Sequence, residues 1–396
     1  MRKIIILILI SLLMSCSTVS GATIEVETTK KSTLKSDRER LTQPLDPTLV
    51  SALKDFSSHS ASLLFDNNNH IYSPLSFYLA MSMLTPMAQD ETKLQLQEFL
   101  RNVTINMDDI EILNFHNEVG TLSLANSIWL QNDRPFNEDL MRQISDDFYA
   151  SIYSVDFQNA DTPKQMNDWI NKMTYDFIKE VKVDTRPNMI MSLINTIYLK
   201  DEWLEPFDKS NTQSNSFYPT PQTNINLSFM NEINEFHYQN SEEFEMVSKP
   251  LANGSIVHFV LPTDDLPSIL NPETLSNIMK FDTTLQQLAL SVPSFDIDGD
   301  YSLIDLSKDM GLTLPFEGGL YPYDNDDQVM IDVIKQQARL GVDESGIEAA
   351  AYTQVGVVES MAPEPPQLTV TFDRPFLIII TSPQEIPLFM GTFIGG

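Results

Sequence analysis

The chain has 396 residues, 42% hydrophobic and 9% aromatic, enough to bury a sizeable core in one large domain or two average ones. It carries 25 Lys and Arg against 55 Asp and Glu, a formal net charge of −30 at pH 7. That balance excludes nucleic acid and heparin-like polyanions as partners, because binding them needs clustered basic side chains.

Residues 1–16 read as a targeting segment. Arg2 and Lys3 precede an apolar run over residues 4–14, too short to span a bilayer as an ordinary helix. The run ends Leu13-Met14-Ser15-Cys16, which resembles the lipobox of bacterial lipoproteins, where the cysteine becomes the lipidated N-terminus. Cys16 is the only cysteine in the chain, so no disulfide is available. The expectation is an exported protein, lipid-anchored through Cys16 at the bacterial cell surface or outer membrane, or secreted. An ordinary signal peptide that contains a cysteine is the alternative. Contact with a membrane is then through the N-terminal lipid only.

Residues 17–45 are polar and without apolar periodicity, which reads as a flexible tether, with the folded domain over 46–396. From Pro47 a helix is expected, with Leu53, Phe56, Ser60 and Leu64 on one face. A second is expected over 137–152, turning Leu140, Ile144 and Phe148 inward. A third covers 162–177, where Met166, Trp169, Ile170, Met173 and Phe177 share a face and Thr162-Pro163 supplies an N-cap followed by proline at N1. Residues 189–199 (MIMSLINTIYL) form a nearly continuous apolar run, the mark of a strand covered on both faces. Further strands are expected at 257–262, 288–295, 377–381 and 388–393. Helices dominate the first half and strands the second, without βαβ alternation, so the class is α+β in a single large domain.

No catalytic constellation emerges. His59, His70, His116, His237 and His258 have no metal-ligand spacing to one another or to cysteine, so no metal is expected. A nucleophile elbow and a P-loop are absent, and 13 glycines are few for a nucleotide-binding fold, so no cofactor is expected either. Ser345 lacks a nucleophile's surroundings, and Asp108-Asp109 and Asp326-Asp327 read as solvated loop acids.

Near the C-terminus the chain alternates in an unusual way. Ile347, Ala349, Ala351, Thr353, Val355 and Val357 fall on one strand face, all small or β-branched. Glu348, Ala350, Tyr352, Gln354 and Gly356 fall on the other. This is the pattern of a half-buried strand, in a stretch that closes in prolines like a loop.

That stretch, Glu344-Ser345-Gly346-Ile347-Glu348-Ala349-Ala350-Ala351-Tyr352-Thr353, resembles the hinge of the reactive-centre loop of serpins. Other motifs resemble the family in the right order. Phe372-Asp373-Arg374-Pro375-Phe376 looks like the segment after the loop, and Pro387-Leu388-Phe389-Met390-Gly391 like the C-terminal strand. Asn195-Thr196-Ile197-Tyr198-Leu199-Lys200 with Trp203 and Pro206-Phe207 resembles the central strand and the tryptophan at its top. Ile71-Tyr72-Ser73-Pro74-Leu75-Ser76 resembles the start of the buried helix, and Met166-Asn167-Asp168-Trp169-Ile170 the helix across the main sheet.

The resemblance implies an α+β serpin fold with three β-sheets, about nine helices and an exposed reactive-centre loop over about residues 344–366. It implies a suicide-substrate inhibitor of extracellular serine endopeptidases, a monomer and not an enzyme. A protease cuts the loop, and the N-terminal part of the loop inserts into the main sheet, itself a recognised example of strand addition. The sheet-opening region would comprise Ser73, Ser76, Asn195, Trp203 and Gln336. A non-inhibitory binding or substrate-like serpin is the alternative.

Two residues depart from the family pattern. Ile347 replaces a usual Thr or Ser at the first residue to enter the sheet, where its bulk would slow insertion. Gln336 stands where many members have histidine; it can still bond, with Asn195 or Ser76 as expected partners. The scissile bond is placed between Ser360 and Met361, with the bond between Met361 and Ala362 as the alternative. No basic residue or aspartate stands there, which points to elastase-, chymotrypsin- or subtilisin-like proteases and leaves papain-like cysteine proteases open.

Overall fold

The computed structural model describes residues 23–26, 28, 37–178, 183, 185–186, 188–324, 327–347 and 368–396. The helices are α1 (Asp37–Thr42), α2 (Pro47–Leu64), α3 (Pro74–Ser82), α4 (Asp90–Phe99), α5 (Met107–Leu113), α6 (Glu138–Phe148), α7 (Thr162–Met173), α8 (Leu266–Ile269), α9 (Pro272–Ile278) and α10 (Leu303–Asp309). The strands are β1 (Thr23–Val26), β2 (His70–Tyr72), β3 (Phe115–His116), β4 (Thr121–Gln131), β5 (Ala150–Val155), β6 (Met191–Glu202), β7 (Gln213–Thr220), β8 (Thr223–Asn240) and β9 (Phe244–Pro250). They continue as β10 (Ile256–Pro262), β11 (Thr284–Pro293), β12 (Phe295–Ser302), β13 (Val333–Val342), β14 (Gly346–Ile347), β15 (Thr369–Thr371), β16 (Phe376–Thr381) and β17 (Pro387–Phe393). Among the described residues no helix is long and apolar enough to cross a membrane.

The strands form two hydrogen-bonded networks. The eight-stranded main sheet runs β1-β5-β4-β6-β14-β13-β12, with β3 on β4. The nine-stranded sheet runs β15-β11-β8-β9-β10-β16-β17-β2, with β7 on β8. Among the described residues two of the three expected sheets join in one network, because the 18-residue β8 takes β7, β11 and β9 as partners in succession. The α+β class and single body hold.

Helix α3 lies between the sheets, touching β6 on one side and β17 on the other. All nine of its residues are buried, so its apolar character extends around the whole circumference rather than along one stripe. It starts cleanly because Ser73 caps it and Pro74 opens its first turn. On the opposite face of the main sheet, Met166, Trp169 and Ile170 of α7 pack against Trp129, Tyr153 and Ile194. Strand β6 is thus covered on both faces, which its unbroken apolar run requires.

Several boundaries differ from the sequence reading: α7 ends at Met173 rather than at residue 177, and β6 spans Met191–Glu202 rather than 189–199. Helix α6 stops at Phe148, with Tyr149 in the left-handed region at φ 50°, and the residues up to Val155 form β5. The alternating, β-branched Ala150-Ser-Ile-Tyr-Ser-Val segment finds an edge beside β4, and that pairing overrides the helical continuation. The stretch 288–295 divides at Ser294 into β11 and β12, which belong to different sheets. Within the proposed tether, residues 23–26 pair with β5 and residues 37–42 form α1. Arg40 is only 1% exposed, donating to the Asn253 carbonyl at 2.8 Å with its guanidinium over the Phe115 ring. Tertiary contacts order a segment too polar to signal structure by periodicity.

Candidate functional site: the hinge and the opening of the main sheet

Strands β6 and β13 pair in parallel over Ser192–Thr196 and Val333–Gln337, and further along they part. In the gap between them sits β14. Gly346 pairs with Glu202 and Ile347 with Asp201 on one side, and Ile347 with Val342 on the other. Ile347 is 1% exposed. The residue expected to wait outside the sheet is therefore already within it, and its bulk is accommodated.

Gly346 has φ +154°, and a Cβ there would stand 2.2 Å from the Asp201 carbonyl oxygen. Only glycine lets the hinge backbone approach β6 this closely. The turn before it is held from both directions. Asp343 Oδ1 accepts the amides of Ser345 (2.7 Å) and Gly346 (3.2 Å). The Trp203 amide donates to the Ser345 carbonyl and the Phe207 amide to the Glu344 carbonyl, both at 2.9 Å. The Trp203 indole donates to the Asp343 carbonyl at 2.8 Å, and Thr212 Oγ1 donates to Glu344 Oε1 at 2.7 Å.

Asp201 lies directly across from Ile347 and is fully buried. Burial pushes its carboxyl up to about 6, opposed by hydrogen bonds from Asn253 and Glu202 and by the nearby Arg40 charge. Asn253 donates to it from the side-chain amide at 2.8 Å and from the backbone at 3.3 Å.

Lower in the sheet, Gln336 and Asn195 are strand partners, but their side chains bond elsewhere. Gln336 Nε2 donates to the Ser73 carbonyl and its Oε1 accepts the Ser73 amide. The expected partners, Asn195 and Ser76, are not the ones it takes. The Ser73 carbonyl also accepts the Phe77 amide, so it is shared between α3 and Gln336. Asn195 Nδ2 instead donates to Asn126 Oδ1 at 2.5 Å, and Asn126 donates to the Phe148 carbonyl at 2.8 Å. Ser76 Oγ and Asn195 Oδ1 are buried without a hydrogen-bond partner among the described residues.

The structure thus brings Trp203, Glu344, Gly346 and Ile347 together at the top of the sheet. It sets Asn195 and Gln336 in the middle of the sheet, with Ser73 and Ser76 at the start of α3 beneath it. Glu348, Ala349, Ala350, Ala351, Thr353, Ser360, Met361, Ala362 and Cys16 lie outside the described residues. Sequence reasoning missed Asp201, Asn253, Arg40 and Asn126. The one signal for Asp201 was a charge at the end of an apolar strand. Elsewhere, His258 contacts Ser248 and Thr381, but all three are buried, and burial pushes the His258 imidazole down to about 3, leaving it a neutral core group.

A family model described as Serpin (serine protease inhibitor) matches residues 51–395. Alpha-1-antitrypsin 1-2 of Mus musculus is 27% identical over 376 residues, covering 89% of this chain and 90% of its own. Corticosteroid-binding globulin of Ovis aries is 27% identical over 331 residues, covering 79% and 76%. Among solved structures, a thermophilic serpin, Tengpin, in the native state superposes with a TM-score of 0.82 at 22% identity, covering 95% of this chain and 100% of that one.

Proposed function

We propose, from the premise that the chain belongs to the serpin family, that it is a suicide-substrate inhibitor of extracellular serine endopeptidases. The observation that carries this reading is β14, lodged between β6 and β13 where those strands part. Continuing its register would bring Ala349 between Leu199 and Leu340, Ala351 between Ile197 and Ala338, and Thr353 between Asn195 and Gln336. The inward positions of β13 that would receive them, Leu340, Ala338, Gln336 and Ile334, are all buried. Small residues would thus meet the apolar positions, and the one hydroxyl would meet the polar ones. Glu348, on the outer face, would stand beside Lys200. Val355 and Val357 would add about 1.5–3 kcal/mol each on burial. Before that, entry must separate the ladder at Thr196 and Gln337.

The protease serine attacks the carbonyl carbon of Ser360, the peptide bond to Met361 breaks, and the amine leaves with Met361 as its new terminus. Insertion of the freed strand carries the acylated protease with it. Distortion of the protease's oxyanion hole then stalls hydrolysis of the ester. The bond between Met361 and Ala362 is the alternative. Targets are elastase-, chymotrypsin- or subtilisin-like enzymes, with papain-like cysteine proteases as a further class. The sequence around Cys16 supports lipid anchoring of an exported protein, which Cys16→Ser would release into the medium.

A non-inhibitory, ligand-binding role is the second reading. Corticosteroid-binding globulin is among the relatives, and one observation favours it here. An open cleft of about 670 Å³ lies beside α2 and α9, lined by Leu41, Leu45, Val50, Lys54, Met279 and Glu385 among others.

One experiment separates the two. The protein lacking residues 1–16 is incubated with neutrophil elastase, chymotrypsin, subtilisin, trypsin and papain. Inhibition predicts a covalent complex stable to SDS and a released peptide that begins at Met361. Cleavage by each protease without any complex would overturn it.

A further inference from the structure

The hinge turn is held by Trp203 and Phe207, and these two residues pack around a buried cation. Lys249 on β9 has a side chain only 3% exposed, with Nζ 2.5 Å from Glu232 Oε2 on β8. Its ammonium lies 4.4 Å from the centre of the Phe207 ring, 5.5 Å from Phe236 and 5.7 Å from Trp203. A buried ammonium is costly unless compensated; here one carboxylate and the negative faces of three rings share its charge. Asn234 donates to Glu232 Oε1 at 3.0 Å and to Glu205 Oε2 at 2.6 Å, so the middle of the 203–207 segment is tied to the same centre. On its other side that segment donates two amides and one indole N–H to the carbonyls of residues 343–345.

We infer that Lys249, paired with Glu232, is a positioning residue for the hinge. It fixes Trp203 and Phe207, and through them it sets how firmly the turn over residues 343–346 is held against withdrawal from the sheet or further entry. The consequence for protease trapping rests on the inhibitor reading; the positioning itself does not. The strand that carries it, Phe244–Pro250, also holds Glu245 and Ser248, so the burial of Lys249 left no mark in the sequence pattern.

Hydrogen–deuterium exchange by mass spectrometry tests the inference, because the amides of Trp203 and Phe207 report their own acceptors. Lys249→Met keeps the length of the side chain and removes its charge. Exchange in peptides covering 202–208 and 342–347 should then speed up about tenfold, while peptides covering 376–381 keep the wild-type rate. Lys249→Arg, which keeps a cation among the rings, should stay within about threefold of wild type.

The double variant Lys249→Met with Glu232→Gln buries no unpaired charge, so it also serves if the single variant fails to fold. Positioning by the cation predicts that the double variant keeps the fast exchange. Wild-type exchange in the double variant would overturn the inference, because Lys249 would then only neutralise Glu232. So would wild-type exchange in Lys249→Met. Faster exchange in Lys249→Met, alongside a wild-type protein that forms no covalent complex, would uphold the positioning role and sink the inhibitor reading alone.

Discussion

The side-chain amide of Gln336 and the backbone of Ser73 form a closed pair of hydrogen bonds. Nε2 donates to the Ser73 carbonyl at 2.8 Å, and Oε1 accepts the Ser73 amide at 2.9 Å. Both residues are buried, so strand β13 of the main sheet is bolted to the start of the helix beneath it. Here a side chain makes a bond pair of the kind that neighbouring strands make.

Gln336→Ala would therefore leave the buried Ser73 N–H without a partner, while the Ser73 carbonyl keeps the Phe77 amide, and should cost about 1–3 kcal/mol. Thermal and urea unfolding of the uncleaved protein check this. A loss below about 0.5 kcal/mol would mean that water takes the vacated place at no cost.

Ile347→Thr puts the residue more usual in the family at the seated hinge position. It exchanges the ethyl arm of the side chain for a hydroxyl at a 1% exposed site against Val342, and should destabilise the uncleaved protein by about 2–4 kcal/mol. Because the residue is already in the sheet, the fraction of protease trapped rather than released should not rise. A clear rise, measured as the stoichiometry of inhibition, would show that bulk at this position limits insertion.

Asp201 should make stability depend on pH in a defined direction. Its carboxyl titrates at about 6 in the folded protein against an ordinary 3.8, because burial disfavours the charged form. Between those values the folded chain holds a proton that the unfolded chain has released. The group's contribution is complete below 3.8 and is lost as pH rises through 6. Asp201→Asn removes this titration, so its melting temperature relative to wild type should be more favourable at pH 7.5 than at pH 4. An equal difference at both values would mean that Arg40 and Asn253 already offset the burial.

Residues 37–45 should behave as part of the domain. Deleting residues 1–45 removes the buried Arg40, its bond to Asn253 and the buried Leu45, and should cost about 3–5 kcal/mol. Deleting residues 1–22 should leave stability within about 0.5 kcal/mol. Differential scanning calorimetry of the two truncations distinguishes a docked segment from a tether.

Much of the architecture was legible along the chain. The unbroken apolar run of β6 and the helical stripe of α7 each state locally which faces are buried. What the chain could not state was partnership. Whether Gln336 meets Asn195 or Ser73 depends on residues more than a hundred positions away, with nothing local to choose between them.

The sequence by itself determined the class of fold and the faces of the elements, because these follow from side-chain size, spacing and backbone preference. Tertiary structure alone decided that Ile347 is already seated, since that depends on β6 and β13 parting beyond Thr196 and Gln337. It likewise decided that Arg40, Asp201 and Lys249 are buried. A charge can leave water only where distant groups compensate it, and those groups meet only in the folded chain.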